Sequence, residues 1–229
     1  MIPFNALHAE PLWHLATRLG EAQILLPAVA LIAFALYRQQ ATRTVAVRWV
    51  LLLGVATAIT TASKLAFIGW GLGWPALDFT GFSGHSMYAA AFYPLLFAAM
   101  QPREGRAGQG AVIAMGSLLA ALVGYSRIAV SAHSWSEVIS GLTLGAMVSV
   151  GALAGRWPVR AQLSPLAPVL LLAWMALTPL KMPPNQTHTW VTRMALALAD
   201  RAEPYTRQHL QNNPATAPLH NADEKKPAQ

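Results

Sequence analysis

Cysteine is absent from the 229 residues, which excludes disulfides and thiolate metal sites and leaves the compartment open. Charge is scarce too. Asp, Glu, Lys and Arg make up 11% of the chain, roughly half the share usual in a soluble domain. Acidic residues are the scarcer sign, nine against sixteen basic, for a formal net charge of +7. A basic excess raises the question of nucleic acid, but the basic residues form no stripe interleaved with aromatics. They lie mostly between apolar runs and in the C-terminal part, where they read as topology determinants. No nucleic-acid partner is expected. The first apolar run follows Glu10, Arg18 and Glu21 rather than a basic stretch, so no cleavable leader is expected. No internal repeat is evident.

What the chain has in quantity is apolar sequence, 55% of its residues. Six apolar segments run over about 21–37, 49–71, 85–101, 110–125, 137–155 and 163–180. Several are near the lower limit of the roughly 20 residues a helix needs to cross a bilayer. The fold class expected is all-α, a polytopic membrane helical bundle with about six transmembrane helices. Three regions follow: an interfacial N-terminal segment over 1–20, the bundle over 21–180, and a tail over 181–229. In the first, Leu12, Leu15, Ala16 and Leu19 share a helical face and Gly20 is a stop. In the tail, Trp190, Val191, Met194, Leu198 and Ala199 have helical spacing before Pro204, which predicts a surface-lying amphipathic helix over 189–202. From Gln211 the composition predicts disorder.

Loop charges give the orientation. Arg38, Arg43 and Arg48 lie in the first loop, Arg103 and Arg106 in the third, Arg156 and Arg160 in the fifth. The second carries only Asp78, and the fourth nothing basic beyond Arg127 at its entrance. The positive-inside rule places the odd loops in the cytoplasm and the even loops outside. Trp70, Trp74, Tyr125 and Trp135 fall where an aromatic belt on that outer side would put them. The basic residues of the tail pull the other way, and the prolines Pro165, Pro168 and Pro179 weaken the last segment. A five-span arrangement with the tail inside is the alternative.

Ionisable residues inside such sequence are costly and mark function by default. Lys64 lies in the outer part of the second segment, His85 opens the third, Ser126-Arg127 closes the fourth, and His133 and Glu137 precede or open the fifth. All converge on one side. Singly, each has a bland reading: Lys64 as a snorkelling lysine, Ser83-Gly84-His85 as a turn, Glu137 as the last residue of a Ser134–Glu137 capping box. Jointly they compose an anion site. Two helix N-termini offer free N–H groups, Gly84 permits close backbone approach, and Lys64 and Arg127 supply fixed positive charge. Two histidines suit a two-step phosphoryl transfer, one attacking phosphorus and the other protonating the leaving oxygen. Glu137 is four residues after His133, on the same helical face, where it can hold the imidazole or merely cap the helix. There is no Asp-rich or His-x-x-x-His ligand set, so no metal or other cofactor is expected.

These pieces resemble the signature of the type 2 phosphatidic acid phosphatase superfamily: Lys, six residues and Arg-Pro; Pro-Ser-Gly-His; then Ser-Arg, five residues, His, three residues and Asp. The third piece matches in spacing throughout. The resemblance implies that His133 forms a phosphohistidine, that His85 is the general acid, and that Lys64, Ser83, Gly84 and Arg127 hold the phosphate. Three positions depart from it. Gly71 and Leu72 stand where Arg-Pro is expected, Phe82 stands for proline, and Glu137 stands for aspartate. The function expected is metal-independent hydrolysis of a lipid phosphate or diphosphate at the outer face of a bacterial inner membrane, with membrane lipids as surroundings. The rival is a non-catalytic membrane protein that binds or transports a lipid phosphate with the same site.

Overall fold

The structure is a computed structural model that describes residues 12–100, 108–154, 173–174 and 186–212. The expected sixth segment (163–180), the basic residues of the third and fifth loops, and the tail beyond 212 lie outside these, apart from Ala173 and Trp174.

The described residues are helical, with one isolated antiparallel bridge between Trp74 and Phe79. In chain order they form α1 (Leu12–Arg18), α2 (Ala22–Tyr37), α3 (Arg43–Trp70), α4 (Gly84–Met100), α5 (Gln109–Ala129), α6 (Trp135–Leu153), α7 (Gln186–Ala199) and α8 (Arg207–Gln211). A 3-10 turn, Pro75–Leu77, lies between α3 and α4. Helices α3, α5 and α6 are long and apolar enough to cross a membrane, and α1 with α2, bent by 42° at their junction, gives a fourth candidate.

Helix α4 is the axis of the bundle. It is buried on every side from Ser86 to Leu96, as expected of a helix that is apolar all round. Its neighbour α6 presents Gly141 and Gly145, one turn apart, so that the two backbones meet. A Cβ on Gly141 would stand 2.6 Å from the Ser83 carbonyl oxygen, and one on Gly145 would collide with the Met87 carbonyl. Small residues at four-residue spacing permit this contact, the usual basis of helix association in lipid.

Pro94 sits inside α4 and has no N–H, so the Ala90 carbonyl lacks its helical partner. Ser149 of α6 donates its Oγ to that carbonyl. Trp49 of α3 donates Nε1 to the neighbouring Ala91 carbonyl at 2.9 Å. A released backbone group in an apolar interior needs such a donor. At the far end of the bundle, Arg48 Nη1 donates to the Ala154 carbonyl just after α6, which suits the negative end of a helix.

The described part of the tail packs on the bundle while Trp190, Met194 and Leu198 stay exposed. Helix α7 packs its Ala195 against Phe67, Ile68 and Gly69 at the C-terminal end of α3. The segment 200–212 then folds back over the same end. The Tyr205 N–H donates to the Ile68 carbonyl at 2.9 Å, and Leu210 is buried with Phe67 and Ile68. The described part of the tail, 186–212, therefore lies at the same end of the bundle as the C-terminus of α3 and the N-termini of α4 and α6.

Candidate active site

At that end lies a cavity of about 570 Å³. Lys64 reaches it from α3, Gly84 and His85 from the start of α4, Arg127 from the end of α5, and His133 from the turn before α6. Five of the seven residues singled out in the sequence thus line one space. The other two stand behind it. Ser83 is fully buried, its N–H donating to the Glu137 carbonyl at 3.0 Å and its Oγ accepting from Ser86 Oγ at 2.9 Å. Glu137 is fully buried behind His133.

The five-residue interval between Arg127 and His133 has a geometric reason. The chain leaves α5 and folds back on itself, with the N–H groups of Ala132 and His133 both donating to the Arg127 carbonyl, at 2.9 and 3.2 Å. Ser131, at φ 54°, makes the reversal. One backbone oxygen therefore ties the turn that carries His133 to the residue that carries the guanidinium.

Glu137 performs both roles that the sequence left open. Its Oε2 lies 2.6 Å from His133 Nδ1 and also accepts from the Ser134 N–H at 3.2 Å, closing the capping box. Its Oε1 accepts from the Thr80 N–H at 2.7 Å and from the Thr80 hydroxyl. With Nδ1 committed to a buried carboxylate, Nε2 is the ring nitrogen left for chemistry. Burial lowers the His133 pKa below its ordinary value, and Lys64 and Arg127 add to this, while the bond to Glu137 opposes them. Burial and the nearby cations favour the neutral imidazole.

Lys64 and Arg127 bring positive charge to the cavity, and the buried Glu21 also stands at its wall. Arg127 Nη1 donates to Thr17 Oγ1 of α1 at 2.6 Å, but its Nε is buried without a partner among the described residues. Thr60 Oγ1 is in the same condition, and both residues line the cavity. Buried donors left open beside two cations fit a ligand rich in acceptor oxygens.

Several contributors went unread in the sequence. Thr80 and Asp78 lie in the loop before α4. His188, Tyr205, Thr206 and Arg207 line the cavity from the tail. Arg207 Nη2 donates to Glu137 Oε2 at 2.9 Å, and its Nη1 to the Asp78 carboxylate and, at 2.9 Å, to the Asp78 carbonyl. In the sequence Arg207 is one of several scattered tail cations, and no spacing ties it to Glu137. Gly71, where the signature has arginine, ends α3 at φ 70° in the left-handed region. The Tyr205 ring covers it, 3.0 Å from where a Cβ would be. A side chain there would meet both backbone strain and an occupied space.

Among known proteins, the chain is similar to an uncharacterized 22.5 kDa protein in the cps region of Klebsiella pneumoniae, 47% identical over 134 residues. The match covers 58% of this chain and 64% of that relative. No solved structure matches significantly. Residues 69–161 match the model of the PAP2 superfamily, a stretch that holds His85, Arg127, His133 and Glu137 and begins just after Lys64. The likeness to the PAP2 superfamily is carried by that stretch, and it points to phosphatase chemistry.

Proposed function

We propose that this chain is an integral-membrane phosphatase that releases phosphate from a lipid phosphate or diphosphate through a phosphohistidine on His133. The observation that carries this reading is the 2.6 Å contact of His133 Nδ1 with the buried Glu137 carboxylate, beside a cavity that Lys64, Arg127 and His85 also line. In the first step the Nε2 lone pair of His133 forms a bond to phosphorus, the ester P–O bond breaks, and His85 passes a proton to the leaving oxygen. In the second step water attacks phosphorus, His85 takes its proton back, and the N–P bond breaks to release phosphate. Lys64 and Arg127 balance the charge on the transferring group, and the N–H groups at the start of α4 face the same charge. No step requires a metal.

The surroundings favour a substrate with an apolar chain. The cavity opens at one end of a bundle whose exposed surface carries Leu51, Val55, Leu118, Leu122, Met147 and Val150, the composition of a lipid-facing surface. Six membrane crossings, with the cavity on the periplasmic side of a bacterial inner membrane, complete the reading. Polyprenyl diphosphate, phosphatidylglycerol phosphate and phosphatidic acid are the substrates to try. Purified protein in detergent is expected to release phosphate from at least one, with chelator present, and His133→Ala is expected to abolish it. Full release by His133→Ala would sink the mechanism. Binding of vanadate without hydrolysis of any lipid would instead favour a binding or transport protein.

A further inference from the structure

The segment 200–212 reaches the site from outside the matched stretch 69–161. It is fastened at three points. The Tyr205 N–H bonds to the Ile68 carbonyl, Leu210 enters the small core with Phe67 and Ala195, and Arg207 bonds to two carboxylates at once. One of those carboxylates is Glu137, which holds His133. The other is Asp78, two residues before the Thr80 that grips Glu137 from its opposite oxygen.

We propose that Arg207 is a positioning residue for the reaction, delivered by this C-terminal strap to hold the Glu137–His133 pair in place from behind. Arg207 lines the cavity, but both of its terminal nitrogens are engaged with carboxylate or carbonyl oxygens, and the part assigned to it is played through Glu137. Glu137 Oε2 would otherwise share its charge between His133 and one backbone N–H. The guanidinium reaches different carboxylates with its two terminal nitrogens, Glu137 with one and Asp78 with the other, a bridging geometry that lysine lacks. It also bridges Glu137 to the loop carrying Asp78 and Thr80, locking two walls of the cavity together. A glutamate stem, longer by one methylene than the aspartate of the signature, has more freedom to restrain.

The inference rests on the proposed phosphohistidine reading, and its test separates the two. Charged and titratable groups that share the cavity with His133 are Glu21 before α2, Lys64 on α3, His85 and Tyr88 on α4, Arg127 on α5, His188 on α7, and Tyr205 and Arg207 on the strap, with Glu137 of α6 bonded behind it. Histidine ¹⁵N NMR of the full-length protein in detergent, with the His133 signal assigned by its loss in His133→Ala, follows this imidazole whether or not a substrate is known. In Arg207→Gln and Arg207→Ala a cation is lost behind Glu137, so His133 is expected to titrate at higher pH than in the wild type, and Arg207→Lys to fall between. On whichever lipid the wild type hydrolyses, kcat is expected to fall about tenfold to a hundredfold with KM nearly unchanged. An unchanged His133 titration in both the Gln and Ala variants would overturn the inference, whatever the activity. A wild type without phosphatase activity would count against the proposed function alone, since the titration still decides the role of Arg207.

Discussion

His133 and Glu137 are joined at 2.6 Å on adjacent turns of chain, one at the cavity wall and the other fully buried behind it. The same carboxylate caps α6 and receives Thr80 and Arg207. The hold on His133 and the cap of α6 are thus one interaction network, and a change at Glu137 disturbs both.

Glu137→Gln keeps the shape and removes the charge that steadies the imidazole. Its amide would also present a donor to the Arg207 guanidinium or the Thr80 N–H. We expect kcat to fall by about 10²- to 10⁴-fold with the protein still folded, read as phosphate release alongside circular dichroism. Retention of more than about half the wild-type rate would show that the carboxylate serves only as a cap.

The acid limb of the rate profile reports His133. Its folded pKa lies below the ordinary 6.5, so the neutral, nucleophilic form persists as pH falls through that value. Activity is lost only below it. We therefore expect kcat/KM to hold level down to pH 6.5 and to decline at lower pH. Glu137→Gln removes the partner that raises this pKa, so any residual activity should extend further into acid.

Arg127 lines the cavity with a planar fork whose Nε is buried without a partner among the described residues. Arg127→Lys keeps the charge and loses the fork. We expect about tenfold weaker inhibition by vanadate and a higher KM. Equal vanadate inhibition in both proteins would remove Arg127 from the phosphate site.

Two helix glycines provide a paired test of packing. On α6, a Cβ at Gly145 would strike the Met87 carbonyl; on α3, a Cβ at Gly54 would meet nothing within 4 Å. Gly145→Ala is expected to destabilise the fold by about 1–3 kcal/mol, and Gly54→Ala to leave it unchanged or slightly more stable. Thermal unfolding in detergent compares them. Equal midpoints would mean that α4 and α6 do not meet as described.

Much of this was legible in the sequence because it is local. Helices α2 to α6 follow from apolar runs, and their expected ends fall within a few residues of those found. The largest difference is at α3, which starts at Arg43 and not Trp49, because an amphipathic first turn extends it below the apolar run. The convergence of Lys64, His85, Arg127 and His133 followed from alternation of direction along the chain. What was not legible depends on contacts between distant segments. Thr80 meets Glu137 across 57 residues and Arg207 meets it across 70, and neither has a periodicity or spacing that encodes the pairing. The amphipathic pattern of α7 correctly gave a helix with an apolar face, but that face is partly answered by α3. Periodicity identifies an apolar face without naming what covers it.

The return of the strap to the site also sets an order of assembly. A nascent chain that has been translated through α6 already carries Lys64, His85, Arg127, His133 and Glu137, the last still lacking its guanidinium partner. Arg207 follows 70 residues later. During synthesis and insertion, then, His133 and its carboxylate exist before the guanidinium that meets them, and the geometry described is reached only after Arg207 has been made.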